Sequence, residues 1–183
     1  MARPTRHLIA ALLVTAERIE AGSKYQWGHM GCCNCGHLAQ TLTRQPRAEI
    51  HAAALMRAGD WGEQSVEYCA TSGYPLDHII STMLEAGMSL EDLNNLERLS
   101  DQRVLARRPL EGRWLKRNSR EDAIVYLREW AAMLGEELEA MEGGASLESQ
   151  SVEAICARLR AADPELSAAA PAVAEEATAQ QVA

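Results

Sequence analysis

An all-α fold is predicted for this chain by three features of its sequence. Aromatic residues make up only 4% of the 183 residues and phenylalanine is absent, so alanine and leucine must fill the core. That choice suits helices better than strands, which draw on aromatic and β-branched side chains. Apolar residues also recur at helical spacing, first as Leu8, Leu12, Ala16 and Ile19. No stretch shows a persuasive alternation of apolar and polar residues. The length fits one compact irregular helical bundle, whose core needs neither metal nor disulfide for stability.

The elements follow in order. A first helix is expected over 5–21, stopped by Gly22-Ser23, and an irregular loop over 24–36 comes next. A short helix is predicted over 37–43. Pro46 suits the first turn of a helix running to Met56, and Gly59-Asp60-Trp61-Gly62 breaks it before a short turn through Tyr68 that delivers Cys69. Pro75 opens a helix to Ala86, closed by Gly87. Ser89 and Asp92 have the spacing of a reciprocal cap for a helix through Leu99, and a brief helical piece follows Ser100. The longest helix starts near Ser119-Arg120-Glu121-Asp122, and its stripe Ile124, Leu127, Ala131 and Leu134 is read as core. Gly143-Gly144 divides a helical domain, 1–142, from an acidic Ala/Pro/Glu-rich tail, 143–183. Within that tail a short helix is expected near 150–161 and disorder beyond it.

Charge is unevenly distributed. Residues 136–183 carry ten acids against Arg158 and Arg160, which accounts for the whole formal charge of −8 and makes nucleic acid an unlikely partner. A basic segment over 103–120 holds Arg103, Arg107, Arg108, Arg113, Lys116, Arg117 and Arg120 around Trp114. Its arginines are expected to pair with nearby acidic helices, and the alternative is a patch for an acidic partner such as a protein, a phosphate or RNA. Near the N-terminus, Arg3 and Arg6 precede an apolar run over 8–14 in the outline of a secretory signal. Helical spacing continues straight through the would-be cleavage point, so the segment is read as helix and the chain as cytoplasmic. No apolar stretch approaches the ~20 residues that span a bilayer.

Chemistry concentrates between His29 and His37, where three of the five cysteines and two of the five histidines fall. Thiolate and imidazole are ligands for zinc, iron and copper, and Gly31 and Gly36 let the backbone turn between them. Cys33, Cys35 and His37 alternate, so an extended loop would turn all three to one side. Cys69 is the preferred fourth ligand and His29 its rival. Zinc is expected first, mononuclear iron next and copper(I) as a minor reading from Met30-Gly31-Cys32 with Cys35. Covalent haem wants histidine directly after the second cysteine, where Gly36 stands. His51 and His78 are read as ordinary histidines, and Cys156 as an apolar helix residue.

The segment from Tyr25 through Trp27, His29 and Gly31 to Cys33-Asn34-Cys35-Gly36-His37-Leu38, with Glu67-Tyr68-Cys69 and the 96–105 stretch, resembles a family of small bacterial proteins of unassigned function. That family carries a Cys-Asn-Cys-Gly-His-Leu motif. The resemblance covers roughly 8–138, and it implies that Cys33, Cys35, His37 and Cys69 belong together; Cys32 falls outside the pattern.

Two other functions compete with a metal centre. Cys32, Cys35 and Cys69 could cycle between dithiol and disulfide, although a thioredoxin-like alternation of strands and helices is missing. A non-catalytic adaptor would instead use the cluster to hold its loop together and bind a partner through the 103–120 segment or the tail. No catalytic triad, phosphate loop or dinucleotide fingerprint points to an enzyme class.

Overall fold

The computed structural model describes residues 2–109, 114–142 and 151–167. All regular secondary structure among them is helical: α1 (Arg6–Glu20), α2 (Asn34–Thr43), α3 (Arg47–Leu55), α4 (Trp61–Val66), α5 (Pro75–Ala86), α6 (Leu90–Arg98), α7 (Gln102–Ala106), α8 (Arg120–Glu142) and α9 (Val152–Ala161). No described helix is long and apolar enough to cross a membrane.

Helix α1 forms the centre. Thr5 caps it by accepting the Leu8 amide at 3.1 Å, and the helix is buried on most of its circumference by Leu8, Ile9, Leu12, Val14, Ile19 and the small Ala10, Ala11 and Ala16. A helix apolar all round belongs inside a bundle, and here α8, α9 and α2 pack around it. The 23 residues of α8 give it a length of about 34 Å. Its predicted stripe of Ile124, Leu127, Ala131 and Leu134 is buried, as are Tyr126 and Trp130. Helix α9 packs on the same core with Ile155, Cys156 and Leu159. Gly143-Gly144 and residues 168–183, including the expected disordered tail, lie outside the described residues.

On the other side of α1, α2 touches α3, α5 and α6, and α4 packs on α6. The predicted Ser89–Asp92 capping box is present at α6, Pro75 stands in the first turn of α5, and Gly87 (φ 127°) ends that helix. Residues 61–66, expected as a turn, form a helix because Asp60 and Glu63 make a second capping box. Glu97 of α6 strengthens the same helix start by accepting the amides of Trp61 (3.1 Å) and Gly62 (2.8 Å).

The basic segment is held by acidic and carbonyl groups nearby. Arg103 reaches Glu137 at 3.3 Å, and Arg107 makes a fork with Glu136 (2.8 Å for both contacts) and touches Glu129. Arg120 donates to the carbonyls of Ile19 and Glu20, offsetting the negative end of the α1 dipole. Arg113 lies outside the described residues.

Candidate functional site

The cysteine cluster is not an extended loop. Helix α2 starts at Asn34, three residues earlier than the sequence suggests, because Cys33 serves as N-cap with its sulfur accepting the Gly36 amide at 3.5 Å. Successive helical residues rotate by about 100°, so Cys35 and His37 point to nearly opposite sides of α2 instead of sharing one. Alternation therefore separates the expected ligands.

Most polar groups of the motif are held by hydrogen bonds, chiefly to backbone. Asn34, fully buried, donates to the carbonyls of Leu96 (2.6 Å) and Glu97 (3.1 Å) at the end of α6. Tyr25 donates from its hydroxyl toward the Arg117 carbonyl (2.6 Å) and Asn34 Oδ1 (3.0 Å), while the Arg117 guanidinium lies over Trp27. Trp61 Nε1 donates to the Met30 carbonyl at 3.2 Å, and Gln40 donates to the Gly31 carbonyl at 2.8 Å. Gly31 and Gly36 stand where a Cβ would overlap the carbonyls of Arg47 and Met30. The motif is thus a clasp tying the 24–33 loop, α2, α4 and α6 into one block.

Its thiols are protonated and buried. Cys33 donates toward the Met30 carbonyl and Cys35 toward the Leu93 carbonyl, each at 3.6 Å. Burial pushes Cys33 up to about 11 and Cys35 well above the usual thiol value, with Cys33 and Glu97 nearby adding to the effect on Cys35. Thiols held neutral in this way are poor nucleophiles. Cys69 is exposed in the loop before α5, and its thiol value is lowered chiefly by its contact with Thr71. Its neighbours Thr71, Ser72 and Asp77 are not those of Cys33 and Cys35, so the structure does not unite the three as the resemblance implied.

The histidines divide in the same way. His37 Nε2 lies 3.1 Å from the Lys24 carbonyl, which can only accept, so that nitrogen carries the proton. Nδ1 is left as a buried lone pair without a partner. Burial, aided by Arg18, pushes His37 down to about 3, and the charges around it are Arg18, Arg47 and Asp163 rather than the cysteines. His29 accepts the Gly31 amide at Nδ1 and stacks on His51 with ring centres 3.7 Å apart. Among the described residues, no three His, Cys, Asp or Glu side chains converge as a metal-holding group.

A second feature lies on the His37 side of α2. A cleft of about 500 Å³ opens between α1, the end of α2, the start of α3 and the turn after α9. Arg18, only 4% exposed, forms part of its lining; it pairs with Asp163 at 3.1 Å and donates to the His37 carbonyl, while its Nε is buried without a partner. Arg47 reaches Glu165 at 3.3 Å, and Pro46, Leu159 and Pro164 supply apolar walls. None of these positions stands out in the sequence except Arg18, a charge on the otherwise apolar face of α1, which demands a buried partner.

Fold and site together define a small all-α protein with a cysteine-bearing clasp on one side of α2 and a cationic cleft on the other. Comparison with models of protein families, with curated proteins and with solved structures finds no match.

Proposed function

We propose that this chain is a non-catalytic helical binding protein, with the Cys-Asn-Cys-Gly-His clasp as architecture and the cleft beside α3 as the binding site. One observation carries this reading: the Asn34 amide and the Cys33 and Cys35 sulfurs of the clasp are engaged with backbone groups, whereas Arg18, Arg44 and Arg47 line an open cleft. The volume of about 500 Å³ falls within the range of small-molecule sites. Native mass spectrometry of the full chain after incubation with a bacterial metabolite mixture tests it. The expected result is retention of a small molecule by the parent protein and its loss in Ala48→Trp, which fills the cleft from an exposed position. Retention unchanged in Ala48→Trp would reject the cleft as the site.

A second reading keeps the metal centre, with Cys33, Cys35 and His37 as ligands, Cys69 or His29 as the fourth, and zinc ahead of iron and copper(I). It is supported by the free lone pair of His37 Nδ1 and by two neighbouring buried thiols in the same helical turn. It requires α2 to unwind at its first turn so that His37 can reach the cysteine side. Elemental analysis of protein purified without oxygen tests it: about one metal per chain is expected, lost in Cys35→Ser and kept in Cys156→Ser. Equal metal content in both variants removes these residues as ligands.

A further inference from the structure

We infer that residues 151–167, which are α9 and the turn after it, form a strap that docks on α1 and lifts from it as a unit, opening and closing the cleft. Leu159, Ala162, Asp163, Pro164 and Glu165 supply one side of the cleft, and Arg18 with residues between 40 and 48 supplies the rest. The inference rests on the cleft reading above for what the strap gates, while its test needs no ligand.

The strap is attached unlike α2 and α4, which are held through bonds to buried backbone groups. No backbone–backbone hydrogen bond joins 151–167 to the other described residues. Apart from the Cys156 thiol, directed at the Ala10 carbonyl at 3.8 Å, its polar links to them all run through charged side chains. Arg160 forks onto Glu17 (2.6 and 2.7 Å), Asp163 pairs with Arg18 at 3.1 Å, and Glu165 holds Arg47 at 3.3 Å and accepts from Ser23. Apolar anchoring falls to Ile155, Cys156 and Leu159, packed chiefly on α1.

These links make docking reversible. The Arg160 and Arg47 pairs are a third to a half exposed, so water and salt screen them. The Arg18–Asp163 pair is buried, and its attraction is offset by the hydration that both charges gave up, which lifting the strap restores. Arg18 Nε is buried without a partner when the strap is docked, a further donor that water would satisfy on opening. The clasp contributes none of these contacts, so the strap can lift while the rest of the fold stays closed.

Cys156 reports the motion. It is 3% exposed where α9 meets α1, so lifting the strap uncovers it, whereas Cys35 is uncovered only when the clasp opens. Iodoacetamide labelling of the full chain carrying Cys69→Ser, with each cysteine followed by peptide mass mapping, tests the strap. Cys156 is expected to react at least about tenfold faster than Cys35, and about threefold faster again when NaCl is raised from about 0.05 to about 0.5 M. Asp163→Asn is expected to speed Cys156 about tenfold. Its amide oxygen can still accept the Glu165 (3.0 Å) and Leu166 (3.3 Å) amides, so the loss is the charge facing Arg18. Asn34→Ala weakens the docked and lifted forms alike. It is expected to speed Cys35 about thirtyfold while leaving Cys156 unchanged. One common rate for Cys156 and Cys35, a rise of Cys156 in Asn34→Ala matching that of Cys35, or a Cys156 rate indifferent to both salt and Asp163→Asn overturns the inference. Cys156 labelled ahead of Cys35 in a chain that retains no small molecule supports the strap and rejects the cleft reading alone.

Discussion

The two sides of α2 differ in what their polar atoms are doing. On the clasp side, Asn34, Cys33, Cys35, Trp61 and Gln40 each donate to or accept from a backbone group, and Glu97 closes the set by capping α4. On the cleft side, the Arg44 side chain makes no hydrogen bond or ion pair among the described residues, Arg47 is half-exposed, and Arg18 and His37 each keep a buried nitrogen without a partner. Residue types alone suggest the reverse, since cysteine and histidine advertise chemistry and surface arginine does not. A polar side chain contributes to binding through the hydrogen-bonding capacity that the fold leaves over, and here that capacity lies with the arginines.

The sharpest way to break this contrast is to disturb the clasp. Gly36→Ala places a Cβ against the Met30 carbonyl and the Gly31 backbone, which cannot yield as a side-chain end would. A loss of about 3 kcal/mol or more in urea unfolding is expected, at the upper end of overpacking costs. A loss under ~1 kcal/mol would mean that the clasp is loose. Asn34→Ala comes next. It leaves the Leu96 and Glu97 carbonyls without their side-chain donor inside the core, and about 2–3 kcal/mol is expected to be lost.

Acid acts on both sides through His37. Its folded-state value is lowered, so the unfolded chain binds the extra proton and stability rises with pH across the interval between the two values. The stabilising contribution of neutral His37 is complete above about pH 6.5 and falls by about 1.4 kcal/mol per pH unit as the pH drops toward 3. Urea titrations of chelator-treated protein at several pH values measure this slope, and His37→Gln is expected to flatten it. An unchanged slope in that variant would place the acid sensitivity elsewhere. The smallest expected effect sharpens the contrast from the cleft side: Arg44→Ala should change stability in urea unfolding by under ~0.5 kcal/mol. A large loss of stability would move Arg44 from binding to architecture.

Much of the fold could be read from local chemistry. Thr5 before the first apolar run, Pro75 and Gly87 around α5, the Ser89–Asp92 pair and the stripe of α8 each mark an element by its own residues. The start of α2 could not be read in this way, because cysteine is an unusual cap and its role depends on Gly36 pressing against the Met30 carbonyl, a contact made only in the folded loop. Moving that start by three residues changed the meaning of the motif, since alternate residues face together in an extended segment and apart in a helix. The arginines of the 103–120 segment were legible as partners for nearby acids, and Arg103 and Arg107 take carboxylates of α8.

By itself the sequence determined that this protein is helical, where most of its helices begin and end, and which segment holds its cysteines, because caps, spacing and composition act within a few residues. Tertiary structure decided that Cys33 and Cys35 face α6 and α4, that Cys69 stands apart, and that Arg18, Arg44, Arg47 and Glu165 meet at one cleft. Those outcomes rest on contacts between residues far apart in the chain, such as Arg18 and Asp163 at 145 positions, and no local rule carries information over that distance.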